Sequence, residues 1–241
     1  MELLELIIII VMAGLLSILA QYLGLLTFDG AVASLGVGLV IGLFGSTEWL
    51  LILIIFATLG FAATMIGLTR KKARGLQEGL YGERMYKNIL AVGLVPCIFA
   101  IIYFLTGDHY ELMTIGYIAS IAVAAADTIA SEIGVKDKRV WMITTFKRTE
   151  PGTDGGVSLF GTAVALAAAT ATTAIGWVLM FGLTFDVLFF VPVIAGMVGC
   201  FADSFLGATI ESRGYISKYA NNAITAGVGA VFAIVVYVLM F

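Results

Sequence analysis

The chain has 241 residues, 61% of them hydrophobic and 12% charged, with a mean hydropathy of +1.08 and a formal net charge of −3. No soluble domain of this length is so apolar. The composition therefore excludes a water-soluble globular protein, points to no nucleic-acid partner, and defines an all-α, polytopic helical membrane protein. It reads as one integral membrane domain over 1–241, and its 28 glycines against 3 prolines suit closely packed helices.

In chain order, apolar runs at 3–26, 30–45, 49–69, 88–105, 112–132, 156–181, 187–210 and 222–241 predict about eight transmembrane helices. The first run is flanked by Glu2 and Glu5 and has no basic stretch before it, so it reads as a membrane helix and not a signal peptide. The second is short for a full crossing and is expected to be tilted, half-spanning or partly re-entrant. Cys97 and Cys200 lie far apart in apolar runs without metal spacing, as inert buried thiols do. His109 is the only histidine, which leaves no basis for a His-based metal site or a Ser-His-Asp triad.

The connections after the third, fifth and seventh runs contain all 13 Lys and Arg residues. Arg70, Lys71, Lys72, Arg74, Arg84 and Lys87 fall in the first of these. Lys136, Lys138, Arg139, Lys147 and Arg148 fall in the second, and Arg213 and Lys218 in the third. With eight spans these connections share one side. The other side carries Glu2, Glu48, Asp108, Glu111 and Asp186 and no basic residue. The positive-inside rule makes the basic side cytoplasmic and turns both termini outward.

That topology gathers the chemistry-bearing residues at cytoplasmic helix ends. Asp127 and Asp203 sit near the C-terminal ends of their helices, where the helix dipole disfavours an acid by up to ~1 kcal/mol. Coordination of Mg²⁺ would offset that cost, so both are candidate metal ligands. Glu211, eight residues after Asp203 with Gly207 midway, shares its helical face. Glu132 is five residues after Asp127 and joins the set only if the helix loosens before Gly134. Ser131, four after Asp127, faces the same way.

A basic, Gly-rich loop follows. In it Lys147 and Arg148 would neutralise phosphate charge, and Glu150 and Asp154 add carboxylates. Gly155 and Gly156 would open the next helix and let phosphate approach their N–H groups. Arg70, Lys71 and Lys72 read instead as attraction to anionic lipid. Short similarities link 126–132 with 202–211, and the helix starts at 28–36, 153–161 and 221–229, with Asp29, Asp154 or Asn221 and Asn222 as caps. These suggest repeated helical hairpins.

The blocks A-D-T-I-A-S-E-I-G, P-G-T-D-G-G-V-S-L-F-G-T and G-C-F-A-D-S-F-L-G-A-T-I-E resemble those of a membrane family labelled as a domain of unknown function. That family includes plant phytyl-phosphate kinase and animal transmembrane protein 19. The stretch 72–93 resembles its basic loop, in which Arg84 and Asn88 occupy characteristic polar positions; with Asp29 they are candidate substrate contacts. The resemblance implies a kinase that converts an isoprenoid monophosphate to the diphosphate with a nucleoside triphosphate, CTP in the related phytol and polyprenol kinases. Those kinases and the CDP-lipid synthases share an Asp followed by small residues and a Lys/Thr/Glu/Gly loop, which Asp127…Ser131 and Lys147-Arg148-Thr149-Glu150…Gly155 match approximately. Three functions stay open at this point: isoprenoid-phosphate kinase, lipid cytidylyltransferase and transporter. For phosphoryl transfer, Asp127, Asp154, Lys147 and Arg148 are the candidate catalytic residues. Ser131, Glu150, Gly155, Gly156, Gly207, Asn221 and Asn222 are candidates for binding the nucleotide.

Overall fold

A computed structural model describes residues 2–75, 79, 82–108, 110–184 and 186–241, and leaves the side chains of Arg70 and Arg74 outside the described ones. His109 and part of the 72–93 block, residues 76–78, 80 and 81, also lie outside the described residues.

Among the described residues eight helices follow one another: α1 (Leu3–Tyr22), α2 (Phe28–Phe44), α3 (Thr47–Arg74), α4 (Tyr86–Thr106), α5 (Tyr110–Gly134), α6 (Leu159–Phe181), α7 (Phe190–Leu206) and α8 (Lys218–Met240). A 3₁₀ turn at Val187–Phe189 leads into α7, and a π-turn at Gly207–Glu211 prolongs it. Seven of these segments are long and apolar enough to cross a membrane, and α2, with 17 residues, is the shorter apolar one. Hydropathy therefore located every helix. The short second run is a short helix.

Starts are set by hydroxyl side chains. Thr27, Ser46, Ser158 and Ser217 accept hydrogen bonds from the N–H groups of Gly30, Trp49, Gly161 and Ala220, each satisfying a donor with no partner inside the helix. At α4 the Asn88 side chain accepts instead from the Met85 N–H at 3.0 Å. The expected Asp and Asn caps are thus corrected: Thr27 and Ser217 cap ahead of Asp29 and of Asn221 and Asn222, and Ser158 caps α6 four residues after Asp154. Likewise Gly156 does not open α6, which begins three residues later at Leu159.

The centre of the bundle is α5, packed by α3, α4, α6, α7 and α8. Its run of small residues lets neighbours come close. Gly196 of α7 lies against Ala122 and Ala169, and Gly199 and Gly229 lie against Val123, so that a side chain at either would collide with it. The segment after α5 folds into a three-stranded antiparallel sheet of β1 (Val140–Met142), β2 (Arg148–Thr149) and β3 (Gly156–Val157) in the order β2-β1-β3. Because the helices alternate in direction, this sheet, the α1–α2 turn and the starts of α4, α6 and α8 all lie at one end. That end also carries the C-termini of α3, α5 and α7.

Candidate functional site

At that end a cavity of about 310 Å³ opens among α3, α5, α6, α7, α8 and the loop 151–157. Near the C-terminus of α5, Asp127 points into it. From α7, Asp203 meets it, and the two carboxyl groups lie within hydrogen-bond reach of each other. Carboxyl groups in contact cannot both carry charge without a shared proton or a cation between them. Thr225 Oγ1 lies 3.5 Å from Asp203 Oδ1 on the far side. Among the described residues Lys218, Arg84 and Lys71 place positive charge around Asp127, and all three line the cavity.

The π-turn shapes the α7 wall. Inserted residues of this kind re-aim side chains and recur at functional sites. Here the turn brings the Glu211 carboxylate to the Asn221 amide, 2.8 Å away, whose Nδ2 also donates to the Asp203 carbonyl at 3.2 Å. Glu211 and Gly207 line the cavity with Ser131, Asp154, Gly155, Gly156 and Asn222. Asn221 is buried behind them, tying α8 to the end of α7.

Several expected site residues sit elsewhere. Lys147 and Arg148 are not among the lining residues. Both are exposed, and the Arg148 guanidinium stacks 4.6 Å over the Trp141 ring on the sheet. The distance has a simple cause: β2 is the edge strand, and β1 stands between it and β3. The Glu150 side chain is exposed, and its carbonyl closes a turn with Thr153. Asp29 is exposed and accepts from the Tyr86 N–H at 3.4 Å, while Asn88 caps α4, so neither reaches the cavity. The Gly156 N–H is taken by the Thr153 carbonyl at 2.8 Å and is not available to a ligand. Gly155 adopts a left-handed φ of +79°, and a Cβ there would strike Ala208 of the π-turn; its role is close packing.

Glu132 also departs from expectation. With α5 regular to Gly134, its carboxylate turns toward α3. There it pairs with Lys71 Nζ at 2.9 Å and Arg84 Nη2 at 3.7 Å and accepts from Thr64 Oγ1 at 3.2 Å. It is the counter-ion of two cations and not a partner of Asp127 and Asp203. Lys71 is correspondingly a cavity residue, not a lipid-attracting surface charge. The sequence signal missed for Lys71 and Lys218 was position alone: each stands within a turn of a helix end on the basic side. Arg84 is fixed through its backbone, its N–H donating to Leu25 and its carbonyl accepting from Thr27.

Membrane-crossing helices whose acids and bases converge on one cavity at the basic end define a polytopic integral membrane protein with a polar, charge-paired site. The chain belongs to the family described as integral membrane protein DUF92, whose model matches residues 11–237. It is 35% identical over 210 residues to an uncharacterized membrane protein of Methanocaldococcus jannaschii, covering 87% of this chain and 84% of that one. It is 31% identical over 198 residues to the chloroplastic protein VTE6 of Arabidopsis thaliana, covering 79% of this chain and 59% of VTE6's own length. An uncharacterized membrane protein of Synechocystis is 29% identical over 190 residues, 76% of this chain and 72% of that protein. No solved structure matches.

Proposed function

We propose that this protein is a lipid-phosphate kinase. It transfers a phosphoryl group from a nucleoside triphosphate, CTP being the expected donor, to an isoprenoid monophosphate of the phytyl or polyprenyl type, at the cytoplasmic face of the cell membrane. The observation that supports this best is the meeting of Asp127 and Asp203 with Lys71, Arg84 and Lys218 around one cavity. The likeness to VTE6, together with the sequence resemblance to phytyl-phosphate kinase, supplies the substrate class.

Mg²⁺ fits the acids present. It keeps several waters and is held by one or two carboxylates together with substrate phosphates. Among the described residues no group of three or more His, Cys, Asp or Glu is placed to hold a metal unaided, so substrate oxygens would complete the set around Asp127 and Asp203. The ion would neutralise charge on the phosphates.

The chain's own residues do the rest by positioning and charge. Lys218 reaches the acids from α8, and Lys71 and Arg84 stand on the opposite wall, so two phosphates can be drawn together between them. The acceptor oxygen of a lipid monophosphate is already anionic, so no general base is required. That oxygen forms the new P–O bond as the bond from the γ-phosphorus to its bridging oxygen breaks. The nucleoside diphosphate leaves with the electron pair. Transporter sites lie near the bilayer midplane, whereas these groups sit at one end of the bundle, which favours chemistry over transport.

The test is product analysis with labelled CTP and an isoprenyl monophosphate in detergent or nanodiscs. CDP and a lipid diphosphate are expected. Pyrophosphate and a CDP-lipid would replace the kinase by a cytidylyltransferase, and the absence of both products with every nucleoside triphosphate would remove the enzyme reading.

A further inference from the structure

A second cavity lies beside the first, deeper among α1, α2, α3, α4 and α5, with a volume of about 70 Å³. Its walls are mostly apolar, from Val37, Leu53, Phe56, Phe61 and Ile89, with Asn88, a candidate substrate contact from the sequence, among them. Cavities so lined stay dry and accept hydrocarbon. Leu16, Ser34, Ala57 and Phe61 on its rim are half-buried, so the cleft opens on the flank of the helices.

What gives this cleft meaning is its shared wall. Arg84 and Thr128 line both cavities. On α5, Asp127 faces the polar chamber while the next residue, Thr128, borders the apolar one. Arg84 is held at the junction by its backbone pairing to Leu25 and Thr27 and by its side-chain contacts with Glu132 and Thr64. An anionic group bound to that guanidinium has its remaining substituent at the mouth of the apolar cleft. Gly60 keeps the cleft open on the α3 side: a Cβ there would meet only Thr128 Cγ2, at 3.7 Å.

We infer that the cleft bounded by Ser34, Ala57, Gly60 and Phe61 receives the head-proximal part of the hydrocarbon chain of the lipid monophosphate, whose phosphate sits on Arg84. This rests on the proposed kinase reading and adds where the chain lies and which residues select it. The small volume admits only the first, methyl-branched portion. The rest of the chain leaves by the open rim into the bilayer. Selection among lipid phosphates therefore falls on branching near the phosphate, set by Gly60 and Ser34.

The experiment compares geranylgeranyl monophosphate with the unbranched hexadecyl monophosphate for the wild type, Gly60→Leu and Ser34→Leu, which fill the cleft from opposite helices. Turnover is measured as the ratio of kcat/KM for the two phosphates, and binding as the shift in Tm each phosphate produces without nucleotide. Loss of about tenfold or more in the branched-to-unbranched ratio is expected in both variants, since a mis-fitted pocket discriminates on that scale. A photoreactive diazirine near the phosphate end of the chain should label peptides from α2 and α3. A ratio within twofold of wild type in a variant that still turns over the unbranched phosphate overturns the tail site and leaves the kinase reading standing. A wild type that neither binds nor turns over either phosphate overturns both. Should one variant fail to fold, the other, acting from a different helix, decides.

Discussion

Two carboxyl groups within hydrogen-bond reach, Asp127 and Asp203, are a costly arrangement unless they serve a ligand. Replacing either by Asn should abolish turnover while leaving Tm in detergent at or above wild type, because the buried charge is removed along with the function. Glu132→Gln should do the reverse to stability. It leaves Lys71 and Arg84 without their counter-ion, at a cost of about 3–5 kcal/mol, visible as a lowered Tm. A D127N protein with full Mg²⁺-dependent activity would sink the proposed site. Lys71→Ala, Arg84→Ala and Lys218→Ala should each reduce kcat/KM by roughly 30- to 1000-fold, equivalent to ~2–4 kcal/mol of lost charge stabilisation. Arg148→Ala, which removes only an exposed stacking contact worth about 0.5–1 kcal/mol, should change kcat/KM little. The acids were legible in the sequence because each stands where a helix end disfavours it. Of the cations, Arg84 was legible through the family resemblance, and Lys71 and Lys218 were not. Lys147 and Arg148 lie near Asp154 in sequence but are carried off by the edge strand, whereas Lys71 and Lys218 reach the acids only through the packing of α3 and α8 around α5.

At the scale of elements, hydropathy found the helices because lipid imposes one requirement on all of them: a long apolar run with its backbone bonded internally. The sheet escaped notice because strands of two or three residues have no period to read. The π-turn was equally hidden. Eight residues separate Asp203 from Glu211, a spacing that a regular helix would also place on one face, so nothing in the pattern announced the extra residue. Each element makes a testable demand. Ser158→Ala should cost about 1 kcal/mol of stability by removing the cap of α6. Gly155→Ala should cost more, because the left-handed backbone alone adds ~1–2 kcal/mol for any residue with a side chain. A G155A/A208G double variant removes the contact with the Ala208 side chain but leaves the approach to the Ser204 carbonyl and the backbone strain. Its Tm should fall between those of wild type and G155A, and a full recovery would mean that the backbone conformation is not under strain.

On the scale of the whole molecule, one end of the bundle carries the described Lys and Arg side chains and the cavity, and that asymmetry was legible from the connections alone. Single cysteines at Lys138 and Arg213 should react with impermeant reagent from one side of the membrane only, and those at Asp108 and Asp186 only from the other. Labelling of Lys138 and Asp108 from the same side would break the eight-helix arrangement. The central position of α5 bears on how such a chain is made. It is the least apolar of the seven long helices and the most enclosed, and three of the five helices that enclose it, α6, α7 and α8, are synthesised after it. During translation the segment 110–134 therefore enters the bilayer with partners for Glu132 already made, in Lys71 and Arg84, but before Asp203 exists to meet Asp127, and it acquires its permanent surroundings only when 187–240 arrives. Ribosome-arrested or truncated chains ending before α7 should hold this helix loosely and be cleared by membrane proteases, so that the helix bearing Asp127 is the last part of the protein to become secure.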